Sequence, residues 1–141
     1  MRLALAAATS LVLLASPVAT VAAAEPMFSG HIQQLRIYEI PEENRTAFND
    51  RFRDHAARIM KRYGFNIRAM WESRSPDGKL QFVYLLDWQD EMTMKAAWTR
   101  FMDDTEWKAI KRETGARHGK FVNGITDMTL APLPFSPALA E

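Results

Sequence analysis

Cysteine is absent from the 141 residues. That excludes disulfide staples, iron–sulfur clusters, Cys-ligated zinc, a Cys nucleophile and an N-terminal lipid-modified Cys. A surplus of charge of one sign is also missing. With 18 Lys+Arg against 17 Asp+Glu the formal charge is +1, which gives no general electrostatic reason to bind nucleic acid. Beyond the first 24 residues no apolar run reaches the roughly 18 residues a membrane-spanning helix needs. There is no phosphate loop, dinucleotide fingerprint or nucleophile elbow. Only three histidines are present. None lies three or four positions from another, so a first-row metal site is not expected.

What is there begins with an address. Arg2 precedes an apolar run from Leu3 to Ala15, Ser16-Pro17 breaks it, and Ala22-Ala23-Ala24 ends it in small residues. Residues 1–24 therefore read as a secretory signal peptide, and the protein as exported, periplasmic or secreted, with no stable membrane span after cleavage. An uncleaved anchor is the alternative. Residues 25–30 read as a mobile lead, 31–131 as one domain and 132–141, which hold three prolines, as an extended tail.

Within the domain, His31–Ile40 alternates as a first strand, stopped by Pro41. Asn44–Tyr63 is a helix with Phe48, Phe52, Ile59 and Tyr63 on one stripe and its arginines mostly elsewhere; Gly64 ends it. Asn44 suits an N-cap more than a glycosylation site. Asn66–Ser73 and Leu80–Trp88 form a hairpin across Ser75-Pro76-Asp77-Gly78. Asp90 caps a second helix to about Met102. Asp103-Asp104-Thr105 interrupts it, and a last piece covers 106–114. Gly115 and Gly119 bracket a basic loop before a final strand, Phe121–Leu130. The order βαββαβ is ferredoxin-like, an α+β fold with a four-stranded antiparallel sheet and helices on one face. The third strand is apolar on both sides, with Leu80, Phe82, Tyr84, Leu86 and Trp88 against Val83 and Leu85. A sheet with one wet face alternates instead. The second face is therefore expected to meet another subunit, giving a dimeric α+β barrel.

Five stretches resemble the NIPSNAP family. Gln34–Tyr38 is similar to its "LRxY" opening, and His55–Gly64 to its "H…P…(R/K)xG" stretch. Met70-Trp71-Glu72 carries a recurrent strand-two Trp. Phe101–Lys108 is close to "FxxDPEWxx", with Thr105 where Pro is usual, and Leu133–Pro137 matches "PxPFSP". The resemblance implies homodimers with an apolar pocket between sheet and helices. It supplies no agreed catalytic set. Superfamily relatives include cofactor-free monooxygenases, chlorite-dismutase-like haem proteins and small stress-response barrels. Eukaryotic members are linked to mitochondria and vesicle traffic, roles that an export signal does not suit.

The pocket candidates are Tyr38, His55, Trp71 and Tyr84. His55 falls on the apolar stripe of the first helix and is expected to point toward the sheet. It could act on a bound ligand or sit as a hydrogen-bonded core residue. Arg36 shares a strand face with Tyr38, and Asp87 and Asp127 could hold arginine pairs. His118 reads as a solvated loop residue. The leading reading is a homodimeric module that binds a small apolar or aromatic ligand, with no cofactor. The alternative is a cofactor-free or haem-using monooxygenase-like enzyme with His55 as base or axial ligand.

Overall fold

A computed structural model describes residues 25–137. The signal-peptide segment, 1–24, and the last four residues of the tail lie outside the described residues. Among those described, no helix is long and apolar enough to cross a membrane.

Strand β1 is Ile32–Glu39, β2 Asn66–Arg74, β3 Leu80–Trp88 and β4 Gly124–Leu130. All pairs are antiparallel, in the order β2-β3-β1-β4. Between β1 and β2 run α1 (Arg45–Arg51), a π-helical turn (Phe52–Ala56) and α2 (Ala57–Arg62), with right-handed helical backbone at Arg51, Ala56 and Ala57. Between β3 and β4 come α3 (Glu91–Asp103) and α4 (Thr105–His118). This is the ferredoxin-like arrangement that the element order predicts.

The core lies between sheet and helices. Phe48, Phe52, Ile59 and Met60 from the first helical segment meet Phe82, Tyr84, Leu86 and Trp88 of β3, and Phe101 of α3 completes it. Strand β3 alternates strictly, its even-numbered residues buried and its odd ones half-exposed. That is the period-two signature of a pleated strand with one covered face.

Two local expectations are corrected. Gly115 does not begin a loop: α4 runs through it to His118, and the chain turns at Gly119, whose φ of +69° needs a residue without a Cβ. His118 is thus the last helical residue. Asn44 makes no cap hydrogen bond; its amide nitrogen donates to the carbonyls of His118 (3.0 Å) and Lys120 (2.8 Å), tying the first helix to the end of α4. In the lead, the Met27 and Phe28 amides donate to the Glu91 carboxylate at 2.7 and 3.3 Å.

Asp104 is the joint between α3 and α4. One carboxylate oxygen accepts from the Trp107 amide (2.7 Å) and the other from the Tyr63 hydroxyl (2.7 Å). Those two donors, Tyr63 first, hold its pKa below the ordinary aspartate value. A lowered folded-state pKa stabilises above the unfolded value, near 3.9, and the benefit disappears as pH falls through the folded value. Asp104→Ala should therefore cost about 1–2 kcal/mol at pH 7, the size of a lost cap. Urea unfolding of wild type and variant should show this gap closing as the medium is acidified below the unfolded aspartate value. A gap of the same size in acid would refute the ionic part of the cap.

Candidate functional site

Strand β1 sends Ile32, Gln34, Arg36 and Tyr38 toward the helices. Two of these are a surprise for an inward-facing row. Gln34 is only 1% exposed. Its side-chain oxygen accepts from the indole N–H of Trp88 (3.2 Å) and of Trp98 (2.8 Å), while its nitrogen donates to Asp127 (2.8 Å). Arg36 donates to Asp127 and to the Tyr38 hydroxyl (3.2 Å), and lies over the Trp98 ring at 4.3 Å. The Tyr38 and Tyr84 hydroxyls are 2.8 Å apart. Burial pushes the Tyr84 hydroxyl pKa up, and nearby Tyr38 adds to that, so Tyr84 stays neutral and can donate.

In front of this row is a cavity of about 440 Å³, open on one side, lined by the first helical segment and by α3, α4 and β4. Its wall is mainly aromatic: Tyr38, Phe48, Phe52, Trp98, Phe101 and Trp107. Tyr38–Phe48 (6.0 Å) and Trp98–Phe101 (5.8 Å) meet edge-on, while Phe48–Phe52 (6.2 Å) and Phe101–Trp107 (5.2 Å) are stacked. Met102 and Ile125, both well exposed, stand at its edge. The volume is ordinary for a small-molecule site, where about 300–1,000 Å³ is usual.

Cationic groups border the same space. Arg51 lies over the Phe121 ring at 3.8 Å and donates to the Thr114 hydroxyl at 3.0 Å. Lys111 sits 5.7 Å from the Trp107 ring. Burial draws the pKa of Arg51 down to about 10 and lowers that of Lys111 as well.

Of the four candidate residues, Tyr38 lines the cavity and Tyr84 stands behind it, joined through the hydroxyl pair. Trp71 is half exposed and borders a separate groove on the β2 edge with Met70 and Phe52. His55 does not point toward the sheet. It borders a shallow outer groove with Asp50, Thr114 and His118. The cause is the π-turn: its extra residue brings Phe52 and Ala56 inward and leaves His55 aside. An enzyme built on His55 as base or axial haem ligand would therefore need it on a wall it does not reach. Among the described residues no three His, Asp or Glu side chains are grouped to hold a metal ion.

The architecture defines a ferredoxin-like α+β domain with an aromatic cavity between sheet and helices. The chain belongs to the NIPSNAP family, whose pattern matches residues 33–137. No match was found among curated proteins. Among solved structures, a NIPSNAP-like domain protein from Burkholderia xenovorans is similar at 18% identity and TM-score 0.65, over 80% of this chain and 94% of that one. A NIPSNAP family protein from Agrobacterium tumefaciens is similar at 18% identity and TM-score 0.63, over 76% and 97%. A second Agrobacterium NIPSNAP family protein, of unknown function, gives 14% and 0.65, over 78% and 95%. At these identities the likeness is one of fold.

Proposed function

We propose that the protein is an exported homodimeric module that holds a small apolar or aromatic ligand between its sheet and its helices. The observation that carries this is the cavity of about 440 Å³ lined by Tyr38 and the neighbouring rings. Rings fixed by packing offer contact area with little ordering cost, which suits a flat apolar molecule.

The second subunit is proposed from the other side of the sheet. There the paired positions form two mainly apolar rows, Trp71–Val83–Ile37, which ends at Thr126, and Ala69–Leu85–Leu35–Met128. Trp71 is 51% exposed and Met128 44% exposed. A copy of the same face would cover these rows in an isologous pair.

Calorimetric titration with 4-phenylbutan-1-ol tests the ligand reading. Wild type should bind it, and Ile125→Trp, which enlarges an exposed side chain at the cavity edge, should weaken binding at least tenfold. Equal binding by both proteins would place the ligand elsewhere, and no binding by either would refute the reading.

A further inference from the structure

We infer that the cavity takes an amphipathic organic anion: a monocarboxylate whose apolar body lies among the rings and whose charged head meets Arg51 and Lys111. The inference deepens the ligand-binding reading above and rests on it.

Most arginines here are answered by carboxylates. Arg45 pairs with Glu72, Arg58 and Arg62 with Glu106, Arg74 with Glu42, and Arg36 with Asp127. Arg51 and Lys111 form no ion pair with any described residue; Arg100, Arg112, Lys61 and Lys120 share that, but of these six only Arg51 and Lys111 line the cavity. Arg51 has one neutral hydroxyl partner and otherwise faces rings: Phe121 at 3.8 Å, Trp107 at 5.5 Å and Phe48 at 6.0 Å. Lys111 shares the Trp107 ring with it, at 5.7 Å.

Two like charges beside one indole, each partly removed from water, form a costly arrangement without an anion. Their lowered pKa values record that cost, since burial is the leading cause in both and mutual repulsion adds to it at Lys111. Ring faces offset part of it through cation–π attraction. A guanidinium also presents more donors than one hydroxyl can satisfy, and its planar fork suits a carboxylate. Arg36 also lines the cavity but is answered by Asp127, and the Tyr38 hydroxyl is engaged by Tyr84; the remaining wall is apolar, with Phe48, Phe52, Ala56, Met60 and Phe101 among it. Such a wall rejects a fully hydrated ion such as free phosphate. The two requirements together, a charged head and an apolar body, define the ligand class.

The test compares 4-phenylbutanoate with 4-phenylbutan-1-ol on the full chain by calorimetry, with inorganic phosphate as a third probe. The carboxylate should bind at least tenfold more tightly than the alcohol, and the advantage should shrink as salt is raised. Lys111→Met should remove most of that advantage while leaving alcohol binding within twofold. Arg51→Met should do the same, and the lysine variant decides the matter if the arginine variant fails to fold. Alcohol binding equal to or better than carboxylate binding overturns the anion inference and leaves the ligand reading intact. Binding of inorganic phosphate as tight as the carboxylate overturns the requirement for an apolar body. Failure of both organic probes to bind overturns inference and reading together.

Discussion

Gln34→Leu should lose about 2–4 kcal/mol of folding stability, seen as a lower urea midpoint with an unchanged slope. The amide orientation is dictated by its partners. Indole N–H groups only donate and Asp127, ionised, only accepts, so the oxygen must face Trp88 and Trp98 and the nitrogen Asp127. Leucine has nearly the same volume but satisfies none of the three. Each buried N–H left without a partner costs about 1–3 kcal/mol, and the added apolar burial returns only about 1. The Trp98→Phe variant removes one of the donors in advance. In that background Gln34→Leu should cost at least ~1 kcal/mol less than in wild type, the non-additivity expected of residues in contact. A loss below about 0.5 kcal/mol in wild type, the usual size for an indifferent surface change, would sink the network.

Val83→Asp should raise the dissociation constant of the proposed homodimer by about a thousandfold or more. Val83 is central in β3, on the face away from the helices, and is paired to Trp71 on one side and Ile37 on the other. A carboxylate enclosed there between two sheets would have no cation beside it in either row, at a cost of several kcal/mol. Each 1.4 kcal/mol is tenfold in dissociation constant. Sedimentation equilibrium should show wild type as dimer and the variant as monomer at micromolar concentration. Binding of 4-phenylbutan-1-ol should persist in the variant, because the cavity lies on the opposite face. Wild type sedimenting as monomer, or a variant that stays dimeric, would remove the paired-sheet proposal.

How much of this was readable beforehand depended on whether a residue's neighbours in sequence were also its neighbours in space. Strand β3 was legible to the residue because a period of two survives in the chain itself. The Asp90 cap and the break at Asp104 were equally local, each a side chain reaching an amide three residues on. Gly115 misled because an interior glycine costs a helix only about 1 kcal/mol, which packing overrides; the true stop was the left-handed glycine at 119. Tyr38, which lines the cavity, and Tyr84 behind it lie on the strand faces that alternation assigns them. Gln34 carried a signal in principle, as a polar residue in phase with buried ones, but its partners lie 54 to 93 positions away. Arg51 and Lys111 gave none, since a charged residue on a helix ordinarily belongs to the solvent side.

The wide turn at Phe52–Ala56 has a consequence for matching this chain to its relatives. One surplus residue in a helix shifts everything on one side of it by about 100° of azimuth relative to the other. A gap-free alignment with a homologue whose helix is regular will then equate side chains that do not occupy equivalent places. The offset must be absorbed by a one-position gap inside 52–56; placed anywhere else, it would assign the counterpart of His55 to the wrong quadrant of the rod.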